Sequence, residues 1–286
     1  MRLCRPGNRY AAFLAVLCLW PAISNAQRGA TGSSMDNPLT RTDSIRANEK
    51  MDEAYLRQTL GDPKEEAAYQ AFHKLSDDQP DRKIKLGDAF LAKYPSDRYS
   101  QAVYDELAQT YYAKKDLKSF YFYSDKGISI FPDDVHLLAL TGWVIPRAFD
   151  RNDPEADKRL DKAETYEKHA IDVMAKMAKP EVLTDQQFAE FKTGELAVAH
   201  SGLGLVYFRR EQYETSAKEL QEATAAEAKP DPTDFFVLGA DFENVARFKD
   251  AVDAFNHCAQ LGGAMQDNCK QQAANAAKLA ADAKQQ

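Results

Sequence analysis

Turn-forming residues are scarce. The 286-residue chain holds 13 glycines and 12 prolines, below the roughly 12% that the two types average together. A sandwich or barrel needs a turn about every 8–12 residues, which this supply does not meet. Strand-like alternation of useful length is also missing. Beyond the N-terminus, no apolar run approaches the roughly 18 residues of a membrane span. There is no Lys/Arg stripe, and 44 acidic residues outnumber 37 basic ones, a net charge of −7. Such a chain repels phosphate backbones and anionic membrane surfaces, which excludes nucleic acid as an expected partner. Disorder of the whole chain is excluded by an ordinary balance of 44% hydrophobic and 28% charged residues.

What is present begins with an export signal over 1–26. Arg2, Arg5 and Arg9 give a positive start. Ala11 to Trp20 form an uncharged apolar run, Pro21 breaks it, and Ser24-Asn25-Ala26 supply the small residues of a cleavage site. Cleavage would remove three Arg and leave 34 basic against 44 acidic residues, net −10. It would also remove Cys4 and Cys18. Cys258 and Cys269 then form an even pair in an oxidising compartment. They are either bridged, worth roughly 3 kcal/mol across so short a loop, or two thiols on neighbouring helices. The expected location is the periplasm, with secretion left open.

Residues 27–61 are expected to be a flexible tether, with a short helix over 48–60. From Asp62 onward nearly every segment has helical period, and the fold class is all-α. Asp62-Pro63 is a start signal, with Glu65 and Glu66 in the first turn. A pattern then recurs. From Leu107 the apolar or small positions Tyr111, Leu117, Phe120, Ser124 and Gly127 follow in steps of 4, 6, 3, 4 and 3. The same steps lead from Leu203 through Tyr207, Tyr213, Ser216 and Leu220 to Ala223. They recur from Leu238 through Phe242, Phe248, Ala251 and Phe255 to Cys258. Steps of 3 and 4 keep one helix face buried, and the step of 6 spans a turn between two helices. Ala108, Gly204 and Gly239 allow close approach, while Tyr207, Phe242 and Phe255 fill the gap to the next pair. One pair cannot bury its own face, so pairs stack.

This resembles the tetratricopeptide repeat (TPR) family, closely over Ser100–Pro132, Glu195–Ala228 and Asp234–Gly263. The resemblance implies a right-handed superhelical solenoid of helix pairs over about 62–95, 100–132, 133–180, 184–230 and 231–263, with a C-terminal cap over 266–284. Between Gly142 and Gly204 the spacing is 62 residues, not about one repeat of 34. The excess is read as two long antiparallel helices projecting from the solenoid and able to pair with a second copy, the alternative being an extra helix pair. The first helix of the 133–180 block is expected to end at Pro146. A looser resemblance links the Gly87–Pro95 run to repeats of exported bacterial envelope-assembly proteins.

No catalytic motif or cofactor-binding loop is evident. Ser201-Gly202-Leu203-Gly204 falls inside a repeat helix, where glycine serves packing. The five histidines are scattered, and His257, Cys258 and Cys269 lack a fourth metal ligand. In Phe120–Tyr123, Phe120 is core and Tyr121 or Tyr123 is the expected exposed contact. The expectation is therefore a non-enzymatic scaffold, with no cofactor and no metal, binding a peptide or protein of the cell envelope. The alternative is a module for an envelope glycan or small ligand, using Trp143. In the family the concave face is lined by the first helix of each pair. That places Asp105, Gln109 and Tyr112, then Trp143 and Arg147, then Ser201, Leu205, Phe208 and Arg209, then Phe236 and Glu243 on the partner-binding face.

Overall fold

The structure is a computed structural model that describes residues 62–284 except 182 and 227–229. The export signal and the tether lie outside the described residues. Among the described residues there are eleven α-helices and no strand. They are α1 (Pro63–His73), α2 (Pro80–Lys93), α3 (Ser100–Ala113), α4 (Leu117–Ile130), α5 (Val135–Arg147), α6 (Ala156–Lys176), α7 (Asp185–Arg209), α8 (Tyr213–Ala226), α9 (Pro232–Asn244), α10 (Phe248–Leu261) and α11 (Gln266–Asp282). Consecutive helices pack as pairs, and each pair packs on the next.

Helix starts follow local chemistry. Asp62, Asp116, Asp134 and Asp231 each accept a backbone N–H of the first turn. Thr184 and Gln187 form a reciprocal capping box at the head of α7. The repeat is visible in the backbone as well as the side chains. Lys115, Glu211 and Ala246 adopt left-handed conformations, with φ of 60°, 62° and 59°. Each lies eight residues after the leading Leu of its block. In each turn the next amide bonds back five residues: Asp116 to Tyr111 O, Gln212 to Tyr207 O and Arg247 to Phe242 O, at 3.0, 2.9 and 2.8 Å. These turns close the three first helices in the same left-handed way.

Small residues set the helix spacing. A Cβ on Gly204 would lie 2.5 Å from Leu220, and one on Gly239 would lie 2.7 Å from Phe255. Both contacts join the two helices of one pair. Gly127 makes the equivalent contact with Leu137 of the following pair.

The long helices do not project. Ala170 and Met174 near the end of α6, and Phe191 near the start of α7, are buried in the same apolar cluster as α3 and α5. Leu160 and Ala163 of α6 are buried with Ile145 of α5 and Val206 of α7. A buried stripe runs along α6 from Ala156 to Met174 and along α7 from Phe191 onward, so each stays seated on the array. The region holds one long pair segment and no extra helix pair. The helix α5 closes at Arg147, one residue past Pro146, whose missing amide leaves one i→i−4 hydrogen bond unmade in the last turn. Phe122, not Tyr121 or Tyr123, is the exposed aromatic of α4, at 55%. Tyr123 is held back by donating its hydroxyl to Asp88. At the C-terminal end Cys258 and Cys269 form a disulfide between α10 and α11, and both are fully buried.

Candidate functional site

The first helices α3, α5, α7 and α9 meet through side chains centred on Arg147. This residue occupies the last turn of α5. Its guanidinium carbon lies 3.6 Å from the centroid of the Trp143 ring, one turn earlier. Nη1 donates to the Trp143 carbonyl at 3.3 Å. Nη2 donates to Ser201 Oγ of α7 at 3.1 Å, and to Asp231 Oδ2 and Asp234 Oδ1 at 3.1 and 3.3 Å. Asp231 caps α9 and Asp234 sits in its first turn. Ser201 donates its hydroxyl to Asp234 Oδ1 at 2.7 Å. Tyr112 of α3 meets Trp143 edge-on at 6.1 Å. Burial pushes the Tyr112 phenol up, against a smaller opposing pull from Arg147. A single cation therefore ties three successive helix pairs together.

A second network lies toward the start of α5. His136 Nδ1 is 3.1 Å from Glu195 Oε1 of α7, and its Nε2 is 3.1 Å from the Gln109 amide of α3. Burial by itself lowers the imidazole pKa, but Glu195, Asp105 and Asp134 outweigh it and raise it to about 10. A doubly protonated ring donates from both nitrogens, so Gln109 must turn its amide oxygen toward Nε2.

Arg209 of α7 donates from Nε to the Pro146 carbonyl at 3.0 Å and lies 5.2 Å from the Phe149 ring centroid. Burial, then the like charges of Arg147 and Arg151, lower its pKa to about 9. Glu243 of α9 is buried, and burial raises its carboxyl to about 7.

The structure thus joins Tyr112, Trp143, Arg147 and Ser201 in one network and Asp105 and Gln109 in the other. It also takes most of the expected contacts out of reach of a partner, the buried polar residues Asp105, Ser201 and Glu243 among them. Leu205 is wholly buried in the C-terminal core. Phe208 packs edge-on to Tyr213 at 5.9 Å, and Phe236 packs on Phe255 at 5.5 Å. Trp143 is 6% exposed beneath Arg147. The reason is shared. Residues 135–146 of α5, 201–208 of α7 and 236–243 of α9 are buried on nearly every side, as expected for helices that are largely apolar all round. Gln109, Tyr112, Arg147 and Arg209 keep partial exposure.

Sequence reasoning missed His136, Glu195, Asp231 and Asp234. His136 and Glu195 are 59 residues apart, and Arg147 and Asp231 are 84 apart. Asp231-Pro232 carries only the signal of a helix start. Among the described residues, no group of three or more His, Cys, Asp or Glu is placed to hold a metal ion. The cavity beside the α5–α6 loop, lined by Tyr121, Ile145, Phe149, Asp153 and Arg159, measures about 10 Å³, room for one water.

No protein-family model and no curated protein matches this chain. Among solved structures it is similar to a thermophilic TPR protein of Thermus thermophilus, TTC0263. The identity is 16%, the TM-score is 0.47, and the match covers 74% of this chain and 98% of that one. So distant a likeness bears on neither function nor site, and the helix-pair architecture stands on the repeated turns and contacts above.

Proposed function

We propose that this chain is an exported, non-catalytic scaffold that binds a peptide or protein segment of the cell envelope where its first helices meet. The carrying observation is the Arg147 network. Arg, Trp and Tyr dominate binding hot spots, and here a Trp-stacked Arg sits beside a Tyr and two carboxylates drawn from neighbouring helices. Tyr112 and Arg147 expose their edges there, with Gln109 and Arg209 nearby on the same first helices. Helix-pair arrays present such extended surfaces to partners. Export is supported by the Arg2–Ala26 segment and by the buried Cys258–Cys269 disulfide, which suits an oxidising compartment. The periplasm is the proposed location. The glycan alternative is set aside because Trp143 is covered by Arg147 and offers no open ring to a sugar.

The test is a photo-crosslinking residue at Gln109 or Tyr112 in the exporting host, with exposed Lys249 as control. One discrete protein adduct is expected at the first two sites and none at the third. The captured protein, purified, should bind Arg147→Ala at least tenfold more weakly than wild type. A folded, exported chain that captures no protein at either site would overturn the proposal.

A further inference from the structure

Glu167 lies midway along α6 and is fully buried. Neither carboxyl oxygen has a hydrogen-bond partner. Its side chain is wedged between two glycines on the neighbouring helices. A Cβ on Gly142 of α5 would fall 2.5 Å from its carboxyl carbon, and one on Gly202 of α7 would fall 1.7 Å from Oε1. Both helices thus lack a side chain where this carboxyl enters. Elsewhere in the array the same kind of gap is filled by an apolar residue, Leu220 against Gly204 or Phe255 against Gly239. Here an acid fills it. An ionised carboxylate without donors is very costly in such a place, so the group holds a proton.

The charges that bear on it are few. Arg147 of α5 favours ionisation, but its donors are committed to Trp143, Ser201, Asp231 and Asp234. Glu195 of α7, paired with His136 of α5, opposes ionisation. On α6 itself, Glu164 is engaged elsewhere, by Lys168, Tyr207 and Arg210. Burial is the largest influence and raises the Glu167 pKa well above the ordinary 4.5.

We propose that Glu167 makes the α5–α6–α7 junction a proton-controlled latch, closed when its carboxyl is neutral and opened as α6 lifts from Gly142 and Gly202. The proton passes to water when the carboxyl is hydrated. In the open state the group titrates at its ordinary value. Above that pH, each unit therefore multiplies the open population about tenfold, until the closed form itself ionises.

Native-state hydrogen exchange of α6 amides between pH 6 and 8 tests this, after correction for intrinsic exchange. The opening constant of wild type should climb about tenfold per pH unit more steeply than that of Glu167→Gln, which keeps the shape and cannot ionise. Equal slopes in the two proteins would overturn the proposal. Glu167→Met, apolar and of similar length, replaces the Gln variant should that one not fold. If neither folds, wild type still decides against the latch: a slope clearly shallower than about tenfold per unit overturns it.

Discussion

Removing the Arg147 guanidinium should cost far more than a surface charge is worth. In Arg147→Ala, Trp143 loses its cationic cover, a contact worth about 0.5–2 kcal/mol. Asp231 and Asp234 lose the cation that bridges them, and Ser201 loses a donor. Arg147 and Asp234 are largely buried, with side chains 16% and 6% exposed. Breaking one side of a buried pair costs about 3–5 kcal/mol, and an exposed pair is worth about 0–1. The partial exposure of Arg147 places the expected loss at about 2–4 kcal/mol. Lysine should recover less than half, because an ammonium cannot reach three acceptors and stack on the indole together. The assay is urea unfolding, followed by circular dichroism, of wild type, Arg147→Ala, Asp234→Ala and the double variant. The double variant should be at least about 1 kcal/mol less destabilised than the sum of the singles. Additivity within about 0.5 kcal/mol would show that the two residues do not act together, and the hub would be refuted.

Three further outcomes are expected. Stability should fall as pH rises from 6 to 9. His136, raised to about 10, supplies stability that is complete below its ordinary 6.5 and is lost as pH climbs toward 10. Glu243, raised to about 7, costs stability as pH rises from 4.5 through 7. The signs agree, at up to about 1.4 kcal/mol per pH unit for each group, and a urea midpoint that stays flat or rises over this range contradicts them. Gly204→Ala should destabilise by about 1–3 kcal/mol through overpacking against Leu220. Leu220→Ala should cost about 2–5 kcal/mol, and the double variant, whose new methyl partly fills the void, should cost clearly less than the sum. Cys258→Ser with Cys269→Ser should lower stability by about 3 kcal/mol, read from denaturant midpoints, and an unchanged midpoint would mean that the cap is held by apolar packing alone.

The helices, their order and their pairing were legible in the sequence. Residues such as Leu107, Gly204 and Phe255 recur at fixed steps, and each step concerns contacts within one pair or between neighbours. Local chemistry also located the start at Asp62. The candidate site was half legible. The repeat placed Tyr112, Trp143, Arg147 and Ser201 on equivalent helices, and they do meet. It also offered Leu205, Phe208 and Phe236 as partner contacts, and packing took them into the core.

What only the tertiary structure decided involves residues far apart in the chain. Arg147 finds Asp231 and Asp234 across an entire helix pair, and His136 finds Glu195 over the length of α6. Glu167 carried only an ambiguous sequence signal: Leu160, Ala163, Ala170 and Met174 place it on the buried stripe in steps of 3 and 4, yet one acid in a polar helix usually faces water. Whether it does depends on what two other helices place opposite, and here they place Gly142 and Gly202. A repeat with nearest-neighbour contacts writes its fold locally. Buried charges are settled by the field and the space that the assembled helices leave.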